Sequence, residues 1–131
     1  MNPGKASQEW ENNPPVMRLN YTYKHPFTNV ANGFLKKYNW ESRMSLTSIA
    51  HVQQTDDDTL TFWRRVESLF GNEDPFYERV TINRKTRTIL NDEMWLNDDK
   101  SENVRARQIF TGKDNDTTEN ELIVGATTGK D

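Results

Sequence analysis

Residues 17–38 read MRLNYTYKHPFTNVANGFLKKY, and the spacing of their apolar side chains changes once, at the His25-Pro26 corner. Before the corner, apolar and polar residues alternate, which is the period of a strand with one buried face. After it, apolar residues recur at helical spacing and form one stripe. The stripe consists of Phe27, Val30, Ala31, Phe34, Leu35 and Tyr38. Pro26 suits the first turn of a helix, where its missing N–H costs nothing. The segment therefore predicts a strand, a sharp corner and an amphipathic helix that ends in a pair of lysines.

The rest of the chain predicts six further strands joined by polar turns. Clusters of Asn, Asp, Gly and Pro separate short apolar runs, as expected for an antiparallel meander. The strands are expected at 44–52, 60–66, 76–83, 87–96, 104–111 and 119–126. The apolar alternation of the first of these breaks phase after Leu46, which predicts a β-bulge, and residues 67–70 are expected to form a short helical turn or lid. One helix and about seven strands indicate an α+β domain whose sheet has one wet and one apolar face.

Composition limits the class of protein. The chain has 131 residues, a net charge of -3 and a mean hydropathy of -0.99. This length suits one domain, and the acidic balance argues against a nucleic-acid partner. The absence of cysteine excludes disulfides and thiol metal sites. We expect an extended polar arm at 1–15, a folded domain at 16–126 and a short tail at 127–131.

Several residues of the first block resemble the opening of PRELI/MSF1-like proteins. These proteins are START-like phospholipid carriers of the mitochondrial intermembrane space. The matching residues are Tyr23, His25, Pro26, Phe27, Val30, Phe34, Lys37 and Tyr38. Shorter matches follow in the family's order at 60–64, Pro75 and 87–89, and the resemblance extends to about Ala126.

The resemblance implies a helix-grip (START-like) fold, in which a curved antiparallel sheet of about seven strands carries one amphipathic helix after the first strand. Members of the family close this fold with a long C-terminal helix that completes the lipid cavity. Here the sequence ends at Asp131, soon after the seventh predicted strand, so we expect a shortened form without that helix. Another chain, a membrane-bound complex or the rest of a longer protein would then cover the apolar face.

The resemblance also implies two candidates for contact with a lipid head group. Lys37 corresponds to the family's basic residue at the end of the first helix, and its ammonium offers three donors to a phosphate. It can equally offset the helix dipole and cap free carbonyls. Arg64 aligns with a second basic position and can either face a polar cavity floor or pair with Glu78 or Glu93. Where the family tends to carry further lysines this chain has Glu67 and Ser68, which weakens the case for an anion site.

Two tryptophans are candidates for contact with a partner. Trp10 lies on the polar arm, where no intrinsic core is expected, and aromatic side chains in such places are typical anchors at interfaces. Trp40 follows the first helix, where the family usually has a proline-containing turn. Both are candidates for contact with another protein or with a membrane interface.

The sequence shows no grouping that would support catalysis or metal binding. His25 lacks a partner for general-base catalysis and is expected to have a structural role, and with His51 it lacks metal-ligand spacing. The acidic run at 56–58 is expected to be a solvated turn, because alternately spaced ligands and a glycine are absent. We therefore expect no catalytic residue, no metal site and no enzymatic activity.

Two functions follow from the resemblance and from the expected absence of the closing helix. The first is a non-enzymatic accessory or structural subunit of a mitochondrial inner-membrane assembly, such as a respiratory-chain or ATP synthase complex. The alternative is a protein of the intermembrane space that binds or transfers a phospholipid of the phosphatidic acid type. No cofactor is expected, apart from a bound phospholipid in the second case.

The expected partners follow from the same resemblance. They are other subunits of the membrane complex and a small twin-cysteine helical-hairpin protein of the kind with which the family's carriers pair. Peripheral contact with a membrane is compatible with both functions. The expected location is the mitochondrion, in the intermembrane space or associated with the inner membrane.

Overall fold

The computed structural model describes residues 15–40, 44–69, 75–96 and 102–125. Within these ranges the strands are β1 (Pro15–Tyr23), β2 (Met44–Asp56), β3 (Thr59–Ser68), β4 (Phe76–Asn83), β5 (Thr88–Leu96), β6 (Glu102–Gly112) and β7 (Thr118–Gly125). Two short helices follow the first strand, and they are α1 (Phe27–Leu35) and α2 (Lys37–Trp40). The predicted tail, nearly all of the predicted arm with Trp10, and the side chain of Trp40 lie outside the described residues.

All seven of these strands form one antiparallel sheet in the order β1-β7-β6-β5-β4-β3-β2. Strands β2 to β7 are successive neighbours, whereas β1 pairs with β7 and not with β2. β1 and β2 are therefore opposite edges, and the chain that joins them has to cross one face of the sheet. The helices lie in this crossing. A curved antiparallel sheet with a helical crossing on one face is the helix-grip (START-like) fold, as predicted.

The core lies between α1 and the face of the sheet that α1 covers, which we call the inner face. The buried side chains of this core are Phe27, Phe34, Phe62, Val80, Ile89 and Phe110. The ring centroids of Phe34 and Phe110 lie 5.4 Å apart in an edge-to-face arrangement. Each such side chain contributes on the order of 2–3 kcal/mol by leaving water. The apolar stripe predicted from the sequence is thus the surface that packs on the sheet.

The predicted helix is interrupted. α1 ends at Leu35, the backbone of Lys36 leaves helical geometry, and α2 begins at Lys37. Leu35 is 43% exposed, so it does not join the core as the periodicity predicted. Beyond the break, Tyr38 reaches the sheet and donates a hydrogen bond to Glu78, and no basic residue lies in the last turn of α1. Lys37 lies instead in α2, where it is the basic residue of the last turn, and its alternative role at a helix end stays a prediction.

The strand predictions agree with the structure apart from small shifts at the ends. The fourth strand has the predicted bounds, and the bulge in β2 is confirmed by a register shift between Leu46 and Ser48. Glu67 and Ser68 continue β3 and pair with β2, so the helical turn predicted from residue 67 is absent at these two positions. Pairing with an edge strand here outweighs the weak local preference for a turn.

The outer face was predicted to be wet, but its centre is buried. Arg79, Asp92 and Arg107 are cross-strand neighbours on β4, β5 and β6. Asp92 is 0% exposed and accepts hydrogen bonds from Arg107 Nε at 2.7 Å and Arg79 Nη2 at 3.3 Å. The two long guanidinium side chains cover the carboxylate, so charge compensation replaces solvation at this place.

One close approach sets the position of α1 over the end of β6. A Cβ atom added to Gly112 would lie 3.0 Å from Phe27 Cβ and 3.1 Å from Arg87 Cβ. We expect Gly112→Ala to lower the free energy of unfolding by about 1–3 kcal/mol, because one of these neighbours has to move.

Urea unfolding measures this loss, and the matched control is Gly33→Ala in α1. A Cβ at Gly33 meets no atom within 4 Å. The free energy of unfolding of this variant should rise by about 1 kcal/mol, because alanine has a higher helix propensity than glycine. A Gly112→Ala protein as stable as the wild type would contradict the close approach.

Candidate functional site

A cleft of about 720 Å³ lies beside α1 on the inner face. Its walls are mainly apolar, and its lining residues are Tyr23, His25, Asn29, Val30, Gly33, Phe34, Lys37, Gln108 and Phe110. The cleft exists because α1 packs over β3 to β6 and leaves the β7–β1 side of the sheet uncovered. Leu19 and Tyr21 on β1 are accordingly 51% and 61% exposed. Gly33 keeps the cleft wide, because no side chain projects from the helix at that position.

A smaller recess of about 180 Å³ adjoins the cleft. Lys37 and Gln108 line both cavities. The other residues of the recess are Glu78, Asn91, Glu93, Ala106 and Leu122. They occupy two adjacent cross-strand rows of β4 to β7, so the sheet itself forms the floor. The site therefore has a large apolar part and a small polar part, with Lys37 at the junction.

A buried ion pair forms the wall behind the recess. Arg64 on β3 and Glu78 on β4 are each 1% exposed, and Arg64 Nη2 lies 3.1 Å from Glu78 Oε1. Arg64 Nη1 also donates to the carbonyl oxygen of Phe34 at 3.3 Å, and the guanidinium carbon lies 4.5 Å from the centroid of the Phe34 ring. The pair thus ties the last turn of α1 to the sheet.

Two further donors complete the environment of the Glu78 carboxylate. The Tyr38 hydroxyl donates to Oε1 at 2.6 Å, and Asn91 Nδ2 donates to Oε2 at 2.7 Å. Burial, followed by the negative charge of Glu78, raises the pKa of the Tyr38 hydroxyl above its ordinary value. The hydroxyl therefore stays protonated and remains a donor at neutral pH.

The structure separates the two head-group candidates. Lys37 is exposed, lines both cavities and points its ammonium 5.2 Å from the centroid of the Tyr38 ring. Arg64 lines neither cavity, and of the alternatives left open by the sequence it adopts the pairing with Glu78. The geometry therefore places Lys37, and not Arg64, where a ligand can reach it.

Of the contact candidates, only the backbone of Trp40 lies within the described residues, where it ends α2. The side chain of His25 lines the cleft, and its carbonyl oxygen accepts a hydrogen bond from Thr118 Oγ1 at 3.0 Å. That hydrogen bond fixes the corner after β1 to the start of β7. His25 thus contributes to the structure through its backbone while its ring remains at the mouth of the cleft.

Sequence analysis missed two polar residues of the recess, Asn91 and Gln108, and named a third, Glu78, only as a partner for Arg64. Glu78, Asn91 and Gln108 occupy inward positions of strands whose other inward residues are apolar, such as Val80, Ile89 and Phe110. The available signal was a polar residue at a position where the alternation along the strand predicts an apolar one. Their convergence was not visible, since it depends on the register of three strands.

Other kinds of site were sought in the described part of the chain. Within it, no three or more His, Asp or Glu side chains are grouped so that they could hold a metal ion. None of its helices has the length and apolar character needed to cross a membrane. In the acidic β2–β3 turn, Asp56 accepts a hydrogen bond from the backbone N–H of Asp58, which lowers the pKa of Asp56.

Comparison with known proteins gives a distant structural likeness. No family model matches the chain, and no curated protein matches its sequence. The crystal structure of the Zhui aromatase/cyclase from Streptomyces sp. R1128 is similar over 86% of this chain and 69% of that chain. The two are 12% identical and the TM-score is 0.46, so the likeness concerns the fold alone.

This comparison corrects one prediction. Because the sequence shows no catalytic grouping, we expected that the chain is not an enzyme, and that expectation is contradicted, since the similar structure is that of an aromatase/cyclase. At this similarity the comparison assigns no activity to the present chain. The resemblance to PRELI/MSF1-like proteins and the mitochondrial location stay predictions.

The buried ion pair predicts a large stability effect. Glu78→Gln leaves the Arg64 guanidinium buried without its counter-charge, so we expect a loss of about 3–5 kcal/mol in the free energy of unfolding. Asp58→Asn is the matched control, because Asp58 pairs at 2.9 Å with Arg84, whose side chain is 74% exposed. The free energy of unfolding of the control should fall by less than about 1 kcal/mol. Equal losses in urea unfolding would show that burial does not strengthen the Arg64–Glu78 pair.

Proposed function

We propose that this domain binds an amphipathic lipid, with the apolar chain in the cleft beside α1 and the polar end at Lys37. The observation that carries the proposal is the open, mainly apolar cleft of about 720 Å³ with a cation at one end. Small-molecule sites in proteins commonly occupy about 300–1,000 Å³ and combine apolar walls with a few polar groups. The cleft has this composition.

The chemistry of the lining suits an amphiphile in both parts. The rings of Tyr23, Phe34 and Phe110 offer apolar surface, and burial of an acyl chain there is favoured by about 25 cal/mol per Å² of apolar area removed from water. The Lys37 ammonium offers donors to a polar end. Binding of a phospholipid is also what the resemblance predicts. Transfer between membranes and the intermembrane space as the location are proposed from the resemblance alone.

A substitution in α1 tests the use of the cleft. Gly33→Trp should fill the cleft, since a side chain at this position meets open space. We expect the affinity for Nile red, an uncharged lipophilic dye, to fall about tenfold or more, which is about 1.4 kcal/mol or more. The measurement is fluorescence titration of the folded variant.

Asn32→Trp is the matched control, because Asn32 is an exposed residue of the same helix that does not line the cleft. This variant should bind the dye as the wild type does. An undiminished affinity in Gly33→Trp, or the same loss in both variants, would refute binding in the cleft.

A second candidate function, an accessory subunit of a membrane assembly, is favoured by the edge strand β1. Four of its apolar side chains are exposed to solvent. The exposed fractions are 66% for Val16, 44% for Met17, 51% for Leu19 and 61% for Tyr21. An edge strand with such side chains offers both backbone hydrogen bonds and apolar area to another chain. The mitochondrial inner membrane as the place of that assembly, and a twin-cysteine protein as a partner, are proposed from the resemblance alone.

Native electrophoresis of mildly solubilised membranes from the source cell tests this candidate. The chain should migrate with a larger complex in a fixed ratio, and Leu19→Lys should release it, because an ammonium cannot be buried in an apolar contact without cost. Val52→Lys is the control, since Val52 is 62% exposed on the opposite edge strand. Migration of the wild type as a free monomer would remove the support for this function.

A further inference from the structure

The recess contains a buried hydrogen-bond acceptor without a donor. Asn91 is 3% exposed, and its Oδ1 atom has no hydrogen-bond partner among the described residues. The orientation of the amide is fixed, since Nδ2 donates to Glu78 Oε2 at 2.7 Å. A buried polar atom without a partner is costly, and a ligand that supplied a donor would remove that cost.

Four of the five polar side chains that line the recess carry a hydrogen-bond acceptor. Glu78 and Glu93 can only accept, whereas Asn91 and Gln108 carry an amide oxygen beside an NH2 donor. The cations that balance the two carboxylates lie elsewhere, since Arg64 pairs with Glu78 and Arg105 Nε donates to Glu93 Oε2 at 3.0 Å, and neither arginine lines the recess. Among the described residues that line the recess, Lys37 is therefore the one cation.

We propose that the recess selects a lipid whose polar end is an uncharged group bearing hydroxyls, as in a monoacylglycerol or a long-chain alcohol. The proposal rests on lipid binding in the cleft and specifies the class of ligand. A hydroxyl donates to Asn91 Oδ1 or to Glu93 and accepts from Lys37, so one group satisfies both kinds of neighbour. Sites built to hydrogen-bond a hydroxyl discriminate strongly against analogues that lack it.

An anionic polar end fits the same recess poorly. A carboxylate or phosphate has no proton to donate to Asn91 Oδ1 at neutral pH, and it would lie beside the carboxylates of Glu78 and Glu93. The exposed Lys37 ammonium is its favourable contact, whereas the oxygens of Glu78 and Glu93, whose charges Arg64 and Arg105 balance, offer it no donor. The predicted preference is thus opposite to that of a site made for a phosphate head group.

The test compares ligands with one oleoyl chain and different polar ends. Monooleoylglycerol, oleate and oleoyl lysophosphatidate are titrated as competitors of Nile red on the wild-type protein. We expect monooleoylglycerol to bind about tenfold more tightly than either anion. Oleyl alcohol and its methyl ether, which differ by one donor, should show the same order, with the alcohol tighter.

Asn91→Leu removes the acceptor at similar volume and should reduce the preference for the hydroxyl ligands to about threefold or less. If this variant does not fold, the comparison of alcohol and ether on the wild type decides the point. Equal or tighter binding of oleate or lysophosphatidate would overturn the selectivity while leaving lipid binding intact. Failure of every ligand to displace the dye, or unchanged binding in Gly33→Trp, would instead overturn the proposed function.

Discussion

The position of β1 and β2 at opposite edges of the sheet is the constraint from which the rest of the structure follows. Because the chain has to travel from one edge to the other after Tyr23, it crosses the inner face, and it does so as α1 and α2. A helix of nine residues is about 14 Å long, which is less than the width of seven strands. The crossing therefore covers only part of the inner face, and the cleft is the part beside α1 that stays open.

The Arg64–Glu78 pair holds this crossing in place. Such a pair loses much of its hydration on folding, and an apolar replacement of the same shape would often be as stable. What the pair adds is a specific arrangement, since Tyr38, Phe34 and Asn91 all direct polar groups at the same two side chains. An apolar contact has no directional hydrogen bonds, so it would let α1 shift along the sheet. The shape of the cleft would then change. We infer that the ionic contact contributes more to the definition of the cleft than to net stability.

Most of the fold could be predicted from local patterns, because the hydrophobic period and the turn residues can be recognised within short stretches of sequence. All seven strands, the corner at Pro26 and the bulge after Leu46 were predictable in this way. The break of the helix at Lys36 was not, because the apolar spacing runs on to Tyr38. Beyond the break, Tyr38 donates a hydrogen bond to Glu78, forty positions further along the chain. Periodicity within one segment carries no information about such a contact.

The candidate site was predictable only in part for the same reason. Lys37 was named through the family resemblance. Asn91 and Gln108 were not singled out, and their meeting with Glu78 depends on register. On the outer face, register likewise joins Arg79, Asp92 and Arg107 into one buried ionic row.

The pairing of β1 with β7 also has a consequence for how the domain forms. Strands β2 to β7 are joined in sequence order, so each can pair with a neighbour that is close along the chain. β1 instead waits for a partner about a hundred residues away, with Tyr23 opposite Thr118 and Pro15 opposite Gly125. During synthesis β1 therefore leaves the ribosome long before β7 is available to it. Part of the segment that identifies the fold most clearly in the sequence thus cannot pair until nearly the whole domain has been synthesised.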